Sequence, residues 1–146
     1  MKTKSLVFVS ILMLFVAPIL LADDYRKEIS VEESMKAYCA AWFVEAGLRL
    51  HKFVYNNDGT YGWYYQNVET PNYSETFKIE KAWKDSEGNT WLIVWQFRTG
   101  NSWHLNKISE DGNVRERVIR YIRDNLPSEI DPNDASYVRS IKKKKE

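Results

Sequence analysis

Residues 90–108 read TWLIVWQFRTGNSWHLNKI. Large apolar side chains fall on Trp91, Ile93, Trp95 and Phe97, and again on Trp103 and Leu105. Smaller or polar residues fill the alternate places. A repeat of two is the mark of a strand with unlike faces, and Thr99-Gly100-Asn101 supplies turn chemistry between the two runs. The stretch therefore predicts a β-hairpin.

The same pattern continues upstream. Phe77, Ile79 and Trp83 precede the turn residues Asp85-Ser86-Glu87-Gly88-Asn89, and Tyr61, Trp63 and Tyr65 precede Thr70-Pro71-Asn72. Glu110-Asp111-Gly112-Asn113 closes the series downstream. Four strands are expected, near 60–69, 76–84, 90–98 and 102–108, joined as an antiparallel meander. Centring the turns pairs Trp83 with Trp91, Ile79 with Trp95, Phe77 with Phe97 and Phe97 with Trp103. The aromatic face is then the expected core, since burying each ring is worth about 1.5–3 kcal/mol. The opposite face carries Lys78, Glu80, Gln96, His104 and Asn106, with Ala82, Leu92 and Ile108 at one corner.

Helices are expected on both flanks. Ser30 and Glu33 form a capping box, and Val31, Met35, Cys39, Trp42, Ala46, Leu50 and Phe53 recur at helical spacing, which predicts a helix over 31–54. After the meander, Asn113 and Glu116 repeat the cap, and Val114, Val118, Ile122 and Leu126 form a stripe ending at Pro127. Asp131-Pro132 then starts a shorter helix bearing Val138 and Ile141. The expected class is α+β: an N-terminal helix packed on a four-stranded antiparallel meander, followed by two C-terminal helices. This element order resembles the cystatin-like class, and the resemblance implies a helix lying across a curved antiparallel sheet. It carries over no functional residue.

At the N-terminus, Lys2 and Lys4 precede an apolar run from Leu6 to Ala17, with Pro18 and then Ala22 before Asp23-Asp24. This describes a secretory signal peptide over 1–22, cut after Ala22. The run is shorter than the roughly 20 apolar residues of a spanning helix, so no transmembrane segment is expected after cleavage. A single domain over 23–146 would remain, secreted or periplasmic, with a short basic tail at 142–146. Without Lys2 and Lys4, 19 Lys+Arg stand against 20 Asp+Glu, a net charge of −1. That balance speaks against nucleic acid as a partner, because such binders carry a basic field. The basic residues that do cluster, Arg115, Arg117, Arg120 and Arg123 with Lys142–Lys145, read as a solvated end that makes at most weak contact with anionic surfaces.

Chemistry has few candidates. One cysteine closes no disulfide, and Cys39 reads as a small hydrophobe. Two histidines are too few for a three-histidine zinc site, and neither a metal nor a cofactor is expected. His51 reads as a boundary residue of the first helix. His104 with Glu80 is a general-base candidate, although the register sets them two strands apart, at least about 10 Å. No phosphate loop, nucleophile elbow, zinc-protease motif or calcium loop is found. The leading expectation is a small exported, non-catalytic protein that binds another protein as an inhibitor or immunity-type neutraliser. Tyr61, Trp63, Tyr65 and Tyr73, on what reads as an edge strand and its loop, would carry that contact. The alternative is a small-molecule or enzymatic pocket on the Lys78, Glu80, Gln96, His104 and Asn106 face, and a third reading is a structural envelope-associated protein. Asn72-Tyr73-Ser74 is also a glycosylation sequon.

Overall fold

A computed structural model describes residues 25–46, 49–65, 68–126 and 137–144. The elements are β1 (Lys27–Glu28), α1 (Val31–Tyr38), β2 (Ala41–Ala46), β3 (Arg49–Tyr55), β4 (Thr60–Tyr65) and β5 (Tyr73–Lys84). They continue as β6 (Thr90–Phe97), β7 (Asn101–Ile108), β8 (Val114–Tyr121) and β9 (Tyr137–Lys144). Every pairing is antiparallel, in the order β1-β5-β4-β3-β2-β9-β8-β7-β6. A further pairing of β5 with β6 closes the sheet into a ring. Strand β5 makes this possible by its length. Its first residues, Tyr73–Thr76, pair with β4, and Phe77–Lys84 pair with β6. The ring has one narrow seam, where β2 meets β9 through Trp42↔Lys144 and Phe43↔Lys143 among the described residues.

This overturns the α+β expectation and the cystatin-like element order. The predicted helix over 31–54 stops at Tyr38, where Cys39 takes an extended conformation and its N–H still reaches the Met35 carbonyl. The helix start stands where the cap placed it, with Ser30 as N-cap: Ser30 Oγ accepts from Glu33 N at 3.0 Å. Beyond it, the run Trp42-Phe43-Val44 and the run His51 to Tyr55 are rich in aromatic and β-branched residues, which favour a pleated surface. Their apolar spacing fits a period of two as well as one of 3.6, and strand pairing decides. Trp42 faces Phe53 and Val44 faces His51 across the β2–β3 ladder.

The two C-terminal helices are likewise replaced by strands. Val114–Tyr121 is β8, and the segment holding Val138 and Ile141 is β9. The cap-like Asn113 belongs to a hairpin turn, in which Gly112 takes φ +76 and Asp111 Oδ1 accepts from Asn113 N at 3.0 Å. Lys142–Lys144 lie in β9 and pair with β8 and β2 instead of forming a free tail. The four central strands stand where the alternation placed them, within a few residues. The proposed signal peptide and the start of the last helix lie outside the described residues.

The faces of the sheet are the reverse of expectation. In β6 the buried positions are Thr90, Leu92, Val94 and Gln96, and in β7 they are Ser102, His104, Asn106 and Ile108. Trp91, Ile93, Trp95, Trp103 and Leu105 point outward and are half-buried, and Phe97 is exposed. A bulge between Ile79 and Lys81 moves Phe77 and Ile79 onto the inner face while Trp83 still pairs with Trp91 on the outer one. Once the sheet closes, its concave side is the core, and that core is lined by Tyr38 of α1 together with Trp42, Tyr55, Tyr61, Phe77 and Leu92. Helix α1 covers the end of the barrel where the 56–59, 85–89 and 109–113 turns lie. It enters through Ile29, whose N–H bonds the Ala82 carbonyl at 3.2 Å.

Candidate functional site

The interior of the barrel has two unlike walls. Strands β2 to β5 supply rings. Tyr55 stacks on Tyr61 at 5.2 Å, Trp63 on Tyr73 at 5.6 Å and His51 on Trp63 at 5.4 Å. Trp63 Nε1 also donates to His51 Nδ1 at 3.2 Å, which holds that imidazole nitrogen as an acceptor. Alternation explains the arrangement: His51, Phe53 and Tyr55 face Tyr65, Trp63 and Tyr61 across the β3–β4 ladder. His51 is thus an inward residue and not the flank of a helix.

Strands β6 to β8 supply polar groups. Gln96 Nε2 donates to Tyr55 Oη at 2.7 Å and to Tyr38 Oη at 3.3 Å, tying the two walls together. Ser102 Oγ lies 2.9 Å from His104 Nε2. Asn106 and Arg115 are both 1% exposed. Arg115 sits at the covered end, its guanidinium carbon 4.8 Å from the Tyr55 ring centre, 5.0 Å from Tyr38 and 5.3 Å from Trp42. Among the described residues no acceptor reaches Arg115 Nε or Nη1, or Asn106 Nδ2. Tyr38 supplies no counter-charge, because burial first of all, with Tyr55 beside it, raises its phenol well above the usual value and keeps it neutral.

Arg117 and Arg120 pair with Asn106 and His104, and so share their inner face. Their charges are felt across the barrel. Burial raises the Tyr73 phenol, while Arg98, Arg117 and Arg120 pull against that shift. Arg98 itself lies over the Tyr73 ring, 4.0 Å from its centre.

Of the residues singled out in the sequence, Gln96, His104 and Asn106 are brought together inside. Lys78 and Glu80 are not: they point outward and face each other across 3.7 Å at the surface. Glu80 therefore has no route to His104, which lies on the other side of the sheet. Tyr61 is buried and Trp63, Tyr65 and Tyr73 are half-buried; the first three lie on β4, which runs between β3 and β5 instead of at an edge, and Tyr73 begins β5 opposite Trp63. Cys39, at the end of α1, is half-buried near Met35 Sδ (3.9 Å), and burial pushes its thiol up to about 11, as suits an unreactive hydrophobe. Arg115 was missed. It reads as an exposed helical residue until β8 is recognised as a strand, after which Arg115 and Arg117 alternate inward by the same period that marks β6 and β7. Among the described residues no cluster of three or more metal-ligating side chains forms, and no helix is long and apolar enough to cross a membrane.

Comparison with protein families, with curated proteins and with solved structures found no match to this chain.

Proposed function

We propose that this is an exported binding protein that holds a small amphipathic molecule inside its barrel. The observation that supports the reading is the polar wall of Gln96, His104, Asn106 and Arg115, which faces aromatic rings within a closed sheet. A barrel filled only for stability gains from apolar residues in place of Asn106 and Arg115, since each buried polar group left unpaired costs about 1–3 kcal/mol. An eight-stranded ring is about the smallest that admits one small ligand. An apolar lining with a few convergent polar groups is the usual make-up of such a site.

Native mass spectrometry of the protein secreted by its own host tests this. A bound mass that disappears on solvent extraction, and that is reduced in His104→Ala, is the expected result. A bare polypeptide mass in both proteins counts against it.

The protein-binding reading is supported by a different surface from the one expected. Outside the barrel, Trp91, Trp95 and Trp103 are half-exposed, and each indole N–H is held, by Asp85 Oδ2, Asn101 Oδ1 and the Asp124 carbonyl. Indoles fixed in this way lose little freedom on contact with a partner.

A further inference from the structure

We infer that the ligand of the barrel is a monocarboxylate, seated with its acid group at the covered end on Arg115 and Asn106. This rests on the ligand-binding reading above and names the chemistry of that ligand.

The groups at that end are unbalanced in one direction. Arg115 Nε, Arg115 Nη1 and Asn106 Nδ2 are all buried, all donors, and all without an acceptor among the described residues. The two side chains are neighbours by register. Arg115 faces Ile108 and Asn106 faces Arg117, so they occupy diagonal places on one inner face, with Cα atoms about 7–8 Å apart. A guanidinium cannot lose its proton inside a protein, so the charge stays. The rings of Tyr38, Trp42 and Tyr55 attract that charge through their faces, but they lack the lone pairs that the N–H fork takes.

A carboxylate complements this set. It brings one negative charge and two acceptor oxygens, and it meets an arginine fork with two parallel bonds. An alcohol or amide would leave the charge unpaired, and an amine would be repelled. The body of the ligand would lie along the ring wall of Tyr55, Tyr61 and Phe77, pointing away from α1.

Calorimetric titration of the full chain with two matched pairs tests the inference: naphthalene-1-acetate against 2-(1-naphthyl)ethanol, and decanoate against decanol. In at least one pair the acid should bind about ten- to a hundredfold tighter than its alcohol. Arg115→Met should erase that preference, leave the alcohol's affinity in place and not lower the melting temperature, since the buried unpaired charge is gone. Alcohols binding as well as acids, or a preference surviving in Arg115→Met, would overturn the monocarboxylate while leaving a ligand-binding barrel intact. No binding of any of the four overturns the barrel reading with it. Should Arg115→Met not fold, Arg115→Lys and Asn106→Leu take its place. Each should cut the preference several-fold, and an unchanged preference in both overturns the inference.

Discussion

The two walls of the barrel differ in how their side chains are satisfied. On the wall from β2 to β5, rings meet rings, as in the contacts of Tyr55 with Tyr61 and Phe77 and of Trp63 with Tyr73. Each of those contacts adds about 0.5–1.5 kcal/mol beyond the area it buries. On the wall from β6 to β8 the account is uneven. Gln96 and the Ser102–His104 pair have partners, while Asn106 and Arg115 hold buried donors with none among the described residues. One wall therefore carries stability, and the other gives some of it up by burying donors that no described residue satisfies. Proteins commonly keep such local costs at functional sites.

The largest test of this contrast is Trp42→Ala. Trp42 is fully buried and its Nε1 donates to the Tyr38 carbonyl at 2.9 Å, so the variant should lose about 3–5 kcal/mol in urea denaturation. A loss below about 1 kcal/mol would mean that the ring wall is not the main support.

Gln96→Leu examines the satisfied part of the polar wall. It removes two hydrogen bonds and leaves the Tyr38 and Tyr55 hydroxyls short of a donor, so a loss of about 1–3 kcal/mol is expected. No loss would place Gln96 in the same class as Asn106 and Arg115, and the polar wall would then be uniform.

The smallest effect concerns the turns that both walls share. Asp58 and Asp111 have carboxyls lowered from the usual value, by the Thr60 side chain and by the Ser109 hydroxyl. Asp85 is lowered too: burial works to raise it, but the donors Trp91 Nε1 and Asn89 outweigh that. A carboxyl with a folded value below its unfolded one, about 3.9, lends stability that is present above that pH and lost as pH falls through the folded value. The urea midpoint should stay level on this account from about pH 7 to 5 and fall below about pH 4, less steeply in Asp85→Asn. A fall of equal slope in Asp85→Asn would remove that turn from the explanation.

What could be read from the sequence followed the strength of local signals. Alternation in Trp91 to Leu105 located β6 and β7, and the Gly-containing turns located their ends, because both are properties of a few adjacent residues. The first helix was over-extended because Trp42, Ala46, Leu50 and Phe53 satisfy a helical stripe as well as two strands. Only the ladder partners far along the chain distinguish the two. The inner and outer faces were exchanged for a different reason. Counting by hydrophobicity assumes the apolar face is buried, but in a closed ring the concave face is buried whatever it contains. The extra residues Glu80 in β5 and Val118 in β8, each opposite two consecutive residues of the neighbouring strand, reverse parity, which no count along a single strand reveals. Arg115 was hidden behind both errors.

The narrow seam between β2 and β9 has a consequence for how the chain associates. Closing a sheet removes the free edges through which strands of different molecules would join. Here that protection depends on two described register pairs, against eight between β6 and β7. When the seam parts, β2 and β9 each present an unpaired backbone edge, and at high concentration the neighbour most ready to pair with β2 is β9 of another copy, and with β9 its β2. Strand-exchanged oligomers, held by the contacts that close the monomer, are the form of self-association this architecture invites.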